Sequence, residues 1–396
     1  MLAIFARFLR FGLFAWGGPV AQIAMLRQEL VDEERWVTSE RFNRLLAVYQ
    51  VLPGPEAHEL AVHLGLVRGG RAGAFLAGLG FMLPGFLLMV LLSWLYLRID
   101  IGQPSVAAAL LGAQVAVVAL VTRAVPRIGR HILVRPVAWL IAIAVALATA
   151  AGVSFLVTLP AAALANVLAA RFERHAVPAL GLAAVLAGVV VLATGAPGLQ
   201  AGSAVAAGPV AQGGAAPDAA VLFGSGLKAG LLTFGGAYTA IPFVRHDAVG
   251  SGWLTDGQFL DGLALGGILP APLIIFGTFV GFLAGGLPGG LAMTLGIFLP
   301  AFSFALVLGD RLEALVDWRP LHRALEGVAA GVVGIIALTA IQLGAALAGR
   351  LPSLATGALL FAACLAVLFA WPSRWATPAV VAGGAAAGWL LLGGPG

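Results

Sequence analysis

Residues 72–97 of the chain read AGAFLAGLGFMLPGFLLMVLLSWLYL, a run without a charged residue or a histidine. An α-helix rises about 1.5 Å per residue, so a run of this length can cross the roughly 30 Å hydrocarbon core of a bilayer. Three more such runs occupy 327–349, 351–373 and 375–396. A β-barrel would alternate apolar and polar residues in short segments, and these runs do not alternate. The sequence therefore predicts an all-α membrane protein with many spans.

The composition of the whole chain agrees with this class. Of 396 residues, 61% are hydrophobic and 10% are charged, which is too little charge to cover the surface of a water-soluble protein. Soluble multidomain enzymes are thereby excluded. The net charge of +5 does not predict a nucleic-acid partner, because membrane proteins collect basic residues in cytoplasmic loops. The single cysteine, Cys364, excludes an intrachain disulfide and a cysteine metal cluster.

Charged residues and turn signals divide the chain into about thirteen predicted transmembrane spans. We predict a first domain at 1–194 with about seven spans, a Gly/Ala/Pro-rich linker at 195–221, and a second domain at 222–396 with about six. The predicted spans are 8–28, 42–66, 72–97, 105–125, 133–151, 153–170, 176–194, 222–245, 258–284, 287–309, 324–348, 352–371 and 375–394.

Basic residues set the predicted orientation of these spans. Most of them fall on the side of the N-terminus, so we expect a cytoplasmic N-terminus and, with an odd number of spans, an external C-terminus. The arginine cluster within 123–135, together with His131, is interpreted as a topological anchor of this kind. The exceptions on the outer side include Arg27, Arg35, Arg41 and Arg44.

An internal repeat relates the two predicted domains. Glycine, proline, tryptophan and arginine positions recur in the same order, with two single-residue gaps between the copies. Because seven spans precede the second copy, we expect the copies to insert with opposite orientations. Inverted repeats are typical of secondary transporters, whose substrate site lies between the repeats. The matched pairs include Gly12 with Gly230, Trp36 with Trp253, Gly70 with Gly286, and Pro84 with Pro300.

Two glycine segments interrupt apolar stretches at matching places in the repeat. They are Gly17-Gly18-Pro19 in the first domain and Gly235-Gly236 in the second. An interrupted helix exposes backbone N–H groups and a positive half-dipole at depth, which can hold an anion. The alternative interpretation is that these small residues only let helices pack closely. The matched occurrence favours an anion site.

A second pair of interrupted segments carries proline. The motif LPGP at 52–55 has its counterpart in LPAP at 269–272. Proline removes a backbone donor and clashes with the preceding turn, so each span is predicted to be discontinuous there. Irregular backbone is tolerated in a membrane only against protein or a water-filled cavity. A plain kink is the alternative at either motif alone, but the matched copies favour a cavity. The substrate-site candidates here are Pro53, Gly54, Pro55, Pro270 and Pro272.

Arg27 and Arg245 occupy equivalent positions at the ends of the short apolar stretches. A guanidinium group suits bidentate recognition of an oxyanion, so the two arginines are candidates for attracting substrate at entry and exit. An arginine at a helix end also commonly reaches to the membrane surface and orients the protein. Both interpretations stay open.

Four ionisable residues, Glu56, His58, Glu59 and His63, follow LPGP within one predicted span. The spacing of 56, 59 and 63 places them on one helical face. Ionisable groups at depth are costly and suggest a proton or ion pathway, with the lining of a polar vestibule as the alternative. A metal site is not expected, because His and Glu at this spacing lack a third or fourth ligand. No sequence motif predicts a cofactor.

The stretches 11–42 and 52–86, with their order of GGP, LPGP and FMLPGF, resemble the first domain of the chromate ion transporter (CHR) family. The stretches 231–249 and 252–302 resemble its second domain, although GGA replaces GGP and LPAP replaces LPGP. Both halves match, so the chain resembles the long, two-domain form of the family.

The resemblance implies a secondary transporter that exports chromate across the inner membrane of a bacterium and gives the cell chromate resistance. Sulfate, or another tetrahedral oxyanion carried with protons, is the alternative cargo. An intramembrane enzyme such as a chromate reductase is a third hypothesis, and one thiol and no cofactor motif argue against it. The expected partners are chromate or sulfate and the lipid bilayer, with a homodimer left open.

Overall fold

The computed structural model describes residues 1–195, 217–309 and 318–393, with side-chain detail for all of these except 173–176. In this part of the chain the structure is helical and contains no strand, which confirms the predicted all-α membrane fold. Five helical segments are long and apolar enough to span a membrane by themselves. Of the predicted linker at 195–221, residues 196–216 lie outside the described residues.

The first half of the chain forms eight helices. An irregular π-helical turn, Gln28–Glu33, continues α2. The bounds are α1 Leu2–Leu13, α2 Gly18–Arg27, α3 Ser39–Val51, α4 Glu56–Tyr96, α5 Pro104–Ile132, α6 Pro136–Ala150, α7 Phe155–Ala169 and α8 Glu173–Thr194.

The second half forms seven helices in the described residues. Short 3-10 turns, Ala237–Ala240 and Leu273–Ile275, precede α10 and α12, and a π-helical turn, Phe304–Leu308, extends α12. The bounds are α9 Ala219–Leu231, α10 Ile241–Ala248, α11 Asp256–Gly267, α12 Phe276–Ser303, α13 Arg319–Ala348, α14 Leu354–Ala370 and α15 Ala376–Leu392.

The helices α4 and α12 are each a tight helical hairpin. Their backbones leave the helical conformation at Gly69-Gly70 and at Gly285-Gly286, with φ of 61° at Gly70 and 62° at Gly286. Positive φ at this ψ is accessible essentially only to glycine. A Cβ on Gly65 would clash with the Cβ of Ala77 across the turn, so the two arms of α4 are antiparallel and touch. We call the arms α4a (56–68) and α4b (71–96), and likewise α12a (276–284) and α12b (287–303).

Two further antiparallel pairs precede each of these turns. In the first half, Arg10 of α1 pairs with Glu29 beyond the end of α2 at 3.2 Å, and Tyr49 of α3 bonds to His63 of α4a at 2.9 Å. In the second half, Ser225 of α9 bonds to Asp247 of α10 at 2.6 Å. The arms α11 and α12a also pack antiparallel, since a Cβ on Gly262 would meet the ring of Phe279 and a Cβ on Gly266 would lie 3.2 Å from Cβ of Phe276.

Four predicted spans therefore follow a different path. The segments 8–28, 42–66, 222–245 and 258–284 were each expected to cross the membrane, and in the structure the helices of each segment fold back at its break. An arm such as α1, with 12 residues, is about 18 Å long and too short to cross. The fold-back returns Arg27, Arg35, Arg41 and Arg44 to the side on which α1 begins.

The breaks lie near the middle of the bilayer. The helix α1 runs parallel to the membrane-crossing arm α4b, with Ile4 beside Gly73 and Gly12 beside Phe81. Because Phe81 lies partway along α4b, α1 ends at mid-depth. The helix α9 runs along α12b in the same way, and Gly230 lies against the carbonyl of Ile297.

The two halves enter the membrane in opposite directions. The arms α4b and α12b are antiparallel. Phe302, near the end of α12b, lies against Gly78 of α4b. Phe298, one turn earlier in α12b, is joined through the ring of His58 to Phe81, which comes later in α4b. As α1 follows α4b and α9 follows α12b, α1 and α9 point toward each other from opposite sides. We call the side on which α1 begins the N-terminal side, and the other the far side.

Candidate functional site

The four breaks converge at the centre of the molecule. We call them tip 1 (14–17), tip 2 (52–55), tip 3 (232–236) and tip 4 (268–272). The N–H of Gly54 in tip 2 donates to the carbonyl of Thr233 in tip 3 at 2.8 Å. A Cβ on Gly236 would lie 3.9 Å from Cγ of Pro19, just beyond tip 1. Each contact joins a tip of the first half to a tip of the second.

Glycine is required at tips 1 and 3 by the backbone. The φ angles are 95° at Gly17, 77° at Gly18, 69° at Gly235 and 120° at Gly236. Residues with a Cβ rarely adopt such angles, so the glycine pairs serve the turn itself as well as helix packing. Gly18 and Pro19 also begin α2, whose amino end points into the space between the tips. This is the arrangement that can attract an anion.

A small chamber lies where the tips meet. Its wall contains Gly17 of tip 1, Gly18 and Pro19 just after that tip, Ala271 of tip 4, and Tyr238 after tip 3. Helix α5, the end of α11 and the start of α15 also contribute to the wall, and their residues include Leu120, Arg123, Ala124, Arg127, Gly266, Gly267 and Thr377.

A larger cavity of about 530 Å³, which we call the vestibule, continues from the chamber. The chamber and the vestibule share Pro19, Ala124, Arg127 and Tyr238. The vestibule extends past Gly235 and Gly236 to the ends of α5, α6 and α13 that lie on the N-terminal side. Its wall there contains His131, Arg135, Asn166, His322 and Glu326.

Positive charge lines the route from the vestibule to the chamber. Arg123, Arg127 and His131 repeat every four residues along α5 and so share one face of that helix. Arg135, at the mouth, is paired with Glu326 at 2.9 Å. Arg127 forms no ion pair or hydrogen bond with any residue that the structure describes, and its side chain is exposed to the vestibule. Its charge is therefore available to a ligand.

These cavity arginines were interpreted from the sequence as a topological anchor. The four-residue spacing of Arg123, Arg127 and His131 was visible in the sequence, and it was the signal that could have identified a polar helix face. Nothing in the sequence alone showed that this face turns toward the glycine tips.

The predicted attractors Arg27 and Arg245 lie away from the chamber and the vestibule. Arg27 bonds to Asn43 at 3.1 Å and lies over the ring of Phe42. Arg245 is 8% exposed and forms an ion pair with Asp256 at 2.8 Å. Their predicted role in attracting substrate stays a prediction.

The proline tips occupy the predicted place but differ in their surroundings. Tip 2 carries Pro53, Gly54 and Pro55 and contacts tip 3 through Gly54. In tip 4, Pro270 and Pro272 are buried on either side of Ala271, which faces the chamber.

The four ionisable residues after tip 2 separate into different environments. Glu56 lines the vestibule. Glu59 is fully buried, and neither of its carboxyl oxygens has a hydrogen-bond partner among the described residues. His63 bonds to Tyr49. His58 packs against three phenylalanine rings, and neither ring nitrogen is hydrogen-bonded in the described part of the chain.

Glu56, Glu59 and His63 follow one another along α4a, from the vestibule toward the N-terminal side. An unpartnered carboxyl group at full burial is far less costly when protonated than when ionised. The described residues contain no group of three or more His, Cys, Asp or Glu side chains that could hold a metal ion.

Comparison with known proteins gives matches over nearly the whole chain. The family described as "Chromate transporter" matches residues 2–189 and 220–389. A chromate transport protein of Pseudomonas aeruginosa is 58% identical, covering 98% of this chain and 92% of that protein. Chromate transport protein of Cupriavidus metallidurans is 28% identical over 96% of this chain and 90% of its own length. No solved structure matches the chain.

Proposed function

Because this chain belongs to the chromate transporter family, we propose that it carries chromate through the central chamber and exports it from the cytoplasm. The observation that supports this most is a chamber between the broken hairpins of the two halves, which is lined by tip 1 and tip 4 and bordered by Arg123 and Arg127. A binding site at mid-depth between oppositely inserted halves suits a carrier that exposes the site to each side in turn.

Chromate is a tetrahedral dianion, and the chamber offers donors from several directions. The amino end of α2 presents backbone N–H groups and a positive half-dipole. Arg127 supplies a guanidinium group at the boundary with the vestibule, and Arg123 supplies a second one deeper in the chamber. Tyr238 and Thr377 add hydroxyl groups. Together these groups can hold a tetrahedral oxyanion from several sides.

The proposed direction rests on the orientation of the protein. With the N-terminus in the cytoplasm of a bacterial cell, the vestibule opens to the cytoplasm and its arginines collect anions there. A membrane potential that is negative inside favours the exit of a dianion by about 4.6 kcal/mol per 100 mV, twice the value for a single charge. Export can therefore proceed without another energy source.

Sulfate carried with protons is the second candidate function. Sulfate has the shape and charge of chromate, and its uptake would oppose the membrane potential. The buried and unpartnered carboxyl of Glu59, beside Glu56 in the vestibule, supports a bound proton in such a cycle.

Uptake measurements test the proposed export. Cells that express the protein should accumulate less chromate than cells with an empty vector, and the variant Arg127→Gln should remove the difference. Equal accumulation in the vector and the native protein would refute export. In everted vesicles, competition by excess sulfate and molybdate would then separate a chromate carrier from a general oxyanion carrier.

The remaining parts of the proposal concern chemistry and assembly. We expect no reduction of chromate by the protein, so a purified sample without added reductant should keep its Cr(VI) absorbance. A homodimer is also part of the proposal, and the mass of the detergent-solubilised protein measured by light scattering tests it.

A further inference from the structure

A buried polar network joins the two halves on the far side of the chamber. The hydroxyl of Tyr96 donates to Oδ2 of Asp261 at 2.8 Å, and Nε2 of Gln114 donates to Oδ1 at 2.7 Å. Arg350 donates to Oε1 of Gln114 at 2.8 Å. Asp261 is 3% exposed, and Gln114 is fully buried. We call these four residues the far-side network.

The network lies directly beyond the chamber. Leu120 of α5 and Gly266 of α11 both line the chamber. Gln114 is six residues from Leu120 and Asp261 is five residues from Gly266, in each case toward the far side. At a rise of about 1.5 Å per residue, the network is therefore about 9 Å from the chamber along α5 and about 7.5 Å along α11.

The network also differs from the other polar links on that side. Tyr96 and Gln114 belong to the first half, whereas Asp261 and Arg350 belong to the second. The ion pairs Arg245–Asp256 and Lys228–Asp247 each lie within the second half. The bonds of Tyr96 and Gln114 to Asp261, and of Arg350 to Gln114, instead join one half to the other.

We propose that Asp261 and its two donors form the far-side gate of the transporter. This inference rests on the proposed transport function. On the N-terminal side the vestibule already reaches the chamber, so the site can reach the other side only if α5 separates from α11. Hydrogen bonds to a carboxyl group in a low-dielectric interior resist that separation. When the gate opens, water replaces the two donors of Asp261.

Thiol labelling tests the gate without reference to any substrate. In a background where Cys364→Ala removes the native thiol, Leu120→Cys places one thiol in the chamber. A membrane-impermeant maleimide should label it from the N-terminal side. Adding Asp261→Ala should raise labelling from the far side by about tenfold, the shift expected when two hydrogen bonds are lost from one of two conformations.

Asp247→Ala is the matched control. It removes an acidic residue from the same side of the membrane, but one whose partners Ser225 and Lys228 lie within the same half. Far-side labelling should not change in this variant. An unchanged rate in Asp261→Ala, or an equal rise in Asp247→Ala, would overturn the proposal. If Asp261→Ala misfolds and so loses N-terminal-side labelling, Tyr96→Phe replaces it. This variant should give a smaller rise in far-side labelling, and an unchanged far-side rate would overturn the proposal.

Cross-linking gives a second test, in which the gate is held closed instead of weakened. In the cysteine-free background, Gln114→Cys with Asp261→Cys can be joined by a short bis-thiosulfonate. Chromate flux should stop on cross-linking and return after reduction with dithiothreitol. Flux that continues in the cross-linked protein would show a static contact and overturn the gate. If the cysteine-free protein that keeps Gln114 and Asp261 carries no chromate, the proposed function fails, and labelling alone still decides the gate.

Discussion

Arg127 carries a charge that no described residue neutralises, at the boundary between the chamber and the vestibule. Arg245, by contrast, is committed to Asp256, although sequence reasoning treated it as a candidate attractor. Two arginines of the same chain thus differ in what they can bind, and the difference comes from their partners. A free guanidinium group can exchange water for an oxyanion, whereas a paired one must first break its ion pair.

The Arg127 side chain should be important for flux. We expect Arg127→Gln to lower chromate flux in vesicles by at least about tenfold, because a charge-assisted hydrogen bond contributes about 1.5–3 kcal/mol. Arg127→Lys should retain part of the flux. Arg130→Gln is the control, since Arg130 lies on the same helix end but lines neither the chamber nor the vestibule. Equal loss in both glutamine variants would show a general effect of charge on the membrane surface.

Glu59 offers a prediction about pH. Glutamine has nearly the shape of a protonated glutamate, so the variant Glu59→Gln should fold as the native protein does. Combined with Leu120→Cys, it should leave the thiol labelling of the chamber unchanged. If the residue binds and releases a proton during transport, the dependence of flux on pH should flatten in this variant. Glu56→Gln should give a weaker change, because Glu56 faces the vestibule. Unchanged pH profiles in both variants would remove the proton pathway.

At the scale of elements, the helical hairpins α4 and α12 show how closely the repeat is preserved. At the first glycine of each turn, φ and ψ are −144° and 22° for Gly69 and −143° and 24° for Gly285. The following glycines also agree within a few degrees. The sequence alignment had already paired Gly70 with Gly286. The two turns therefore share one backbone geometry, and the division into domains at 195–221 stays a prediction.

These turns should be sensitive to a single methyl group. No atom lies within 4 Å of a Cβ built on Gly70, so Gly70→Ala creates backbone strain without a clash. We expect a cost of about 1–3 kcal/mol and a lower melting temperature in detergent. Gly286→Ala should behave alike. Gly181→Ala, in helix α8 and equally free of neighbours, should be neutral or slightly stabilising. Similar melting temperatures for all three variants would contradict the strain argument.

At the scale of the molecule, the hairpins change which side each loop occupies. The ion pairs from Arg7 and Arg10 to Glu29 hold the end of the first hairpin on the side of the N-terminus. Most basic residues that remain on the far side form ion pairs or hydrogen bonds, as do Lys228, Arg245 and Arg350. The positive bias of the N-terminal side is therefore stronger than the sequence count indicated.

Topology mapping distinguishes the fold-back from a crossing. In the cysteine-free background, Ser39→Cys should react with an impermeant thiol reagent from the same side as the N-terminus. Gly102→Cys, in the loop after α4b, should react from the opposite side and serves as the reference. Reaction of both from one side would show that 8–28 crosses the membrane as a single span.

The sequence by itself determined the membrane class, the internal repeat and the positions of the four breaks. Charge-free runs, glycine pairs and proline motifs are local properties, and each has a direct physical effect on a helix in a bilayer. The tertiary structure alone decided that the broken segments fold back, that Arg123 and Arg127 face the tips, and that Asp261 joins the halves. Those outcomes depend on which distant helices pack together, because the free energy of a buried charge is set by neighbours that lie far away in the chain.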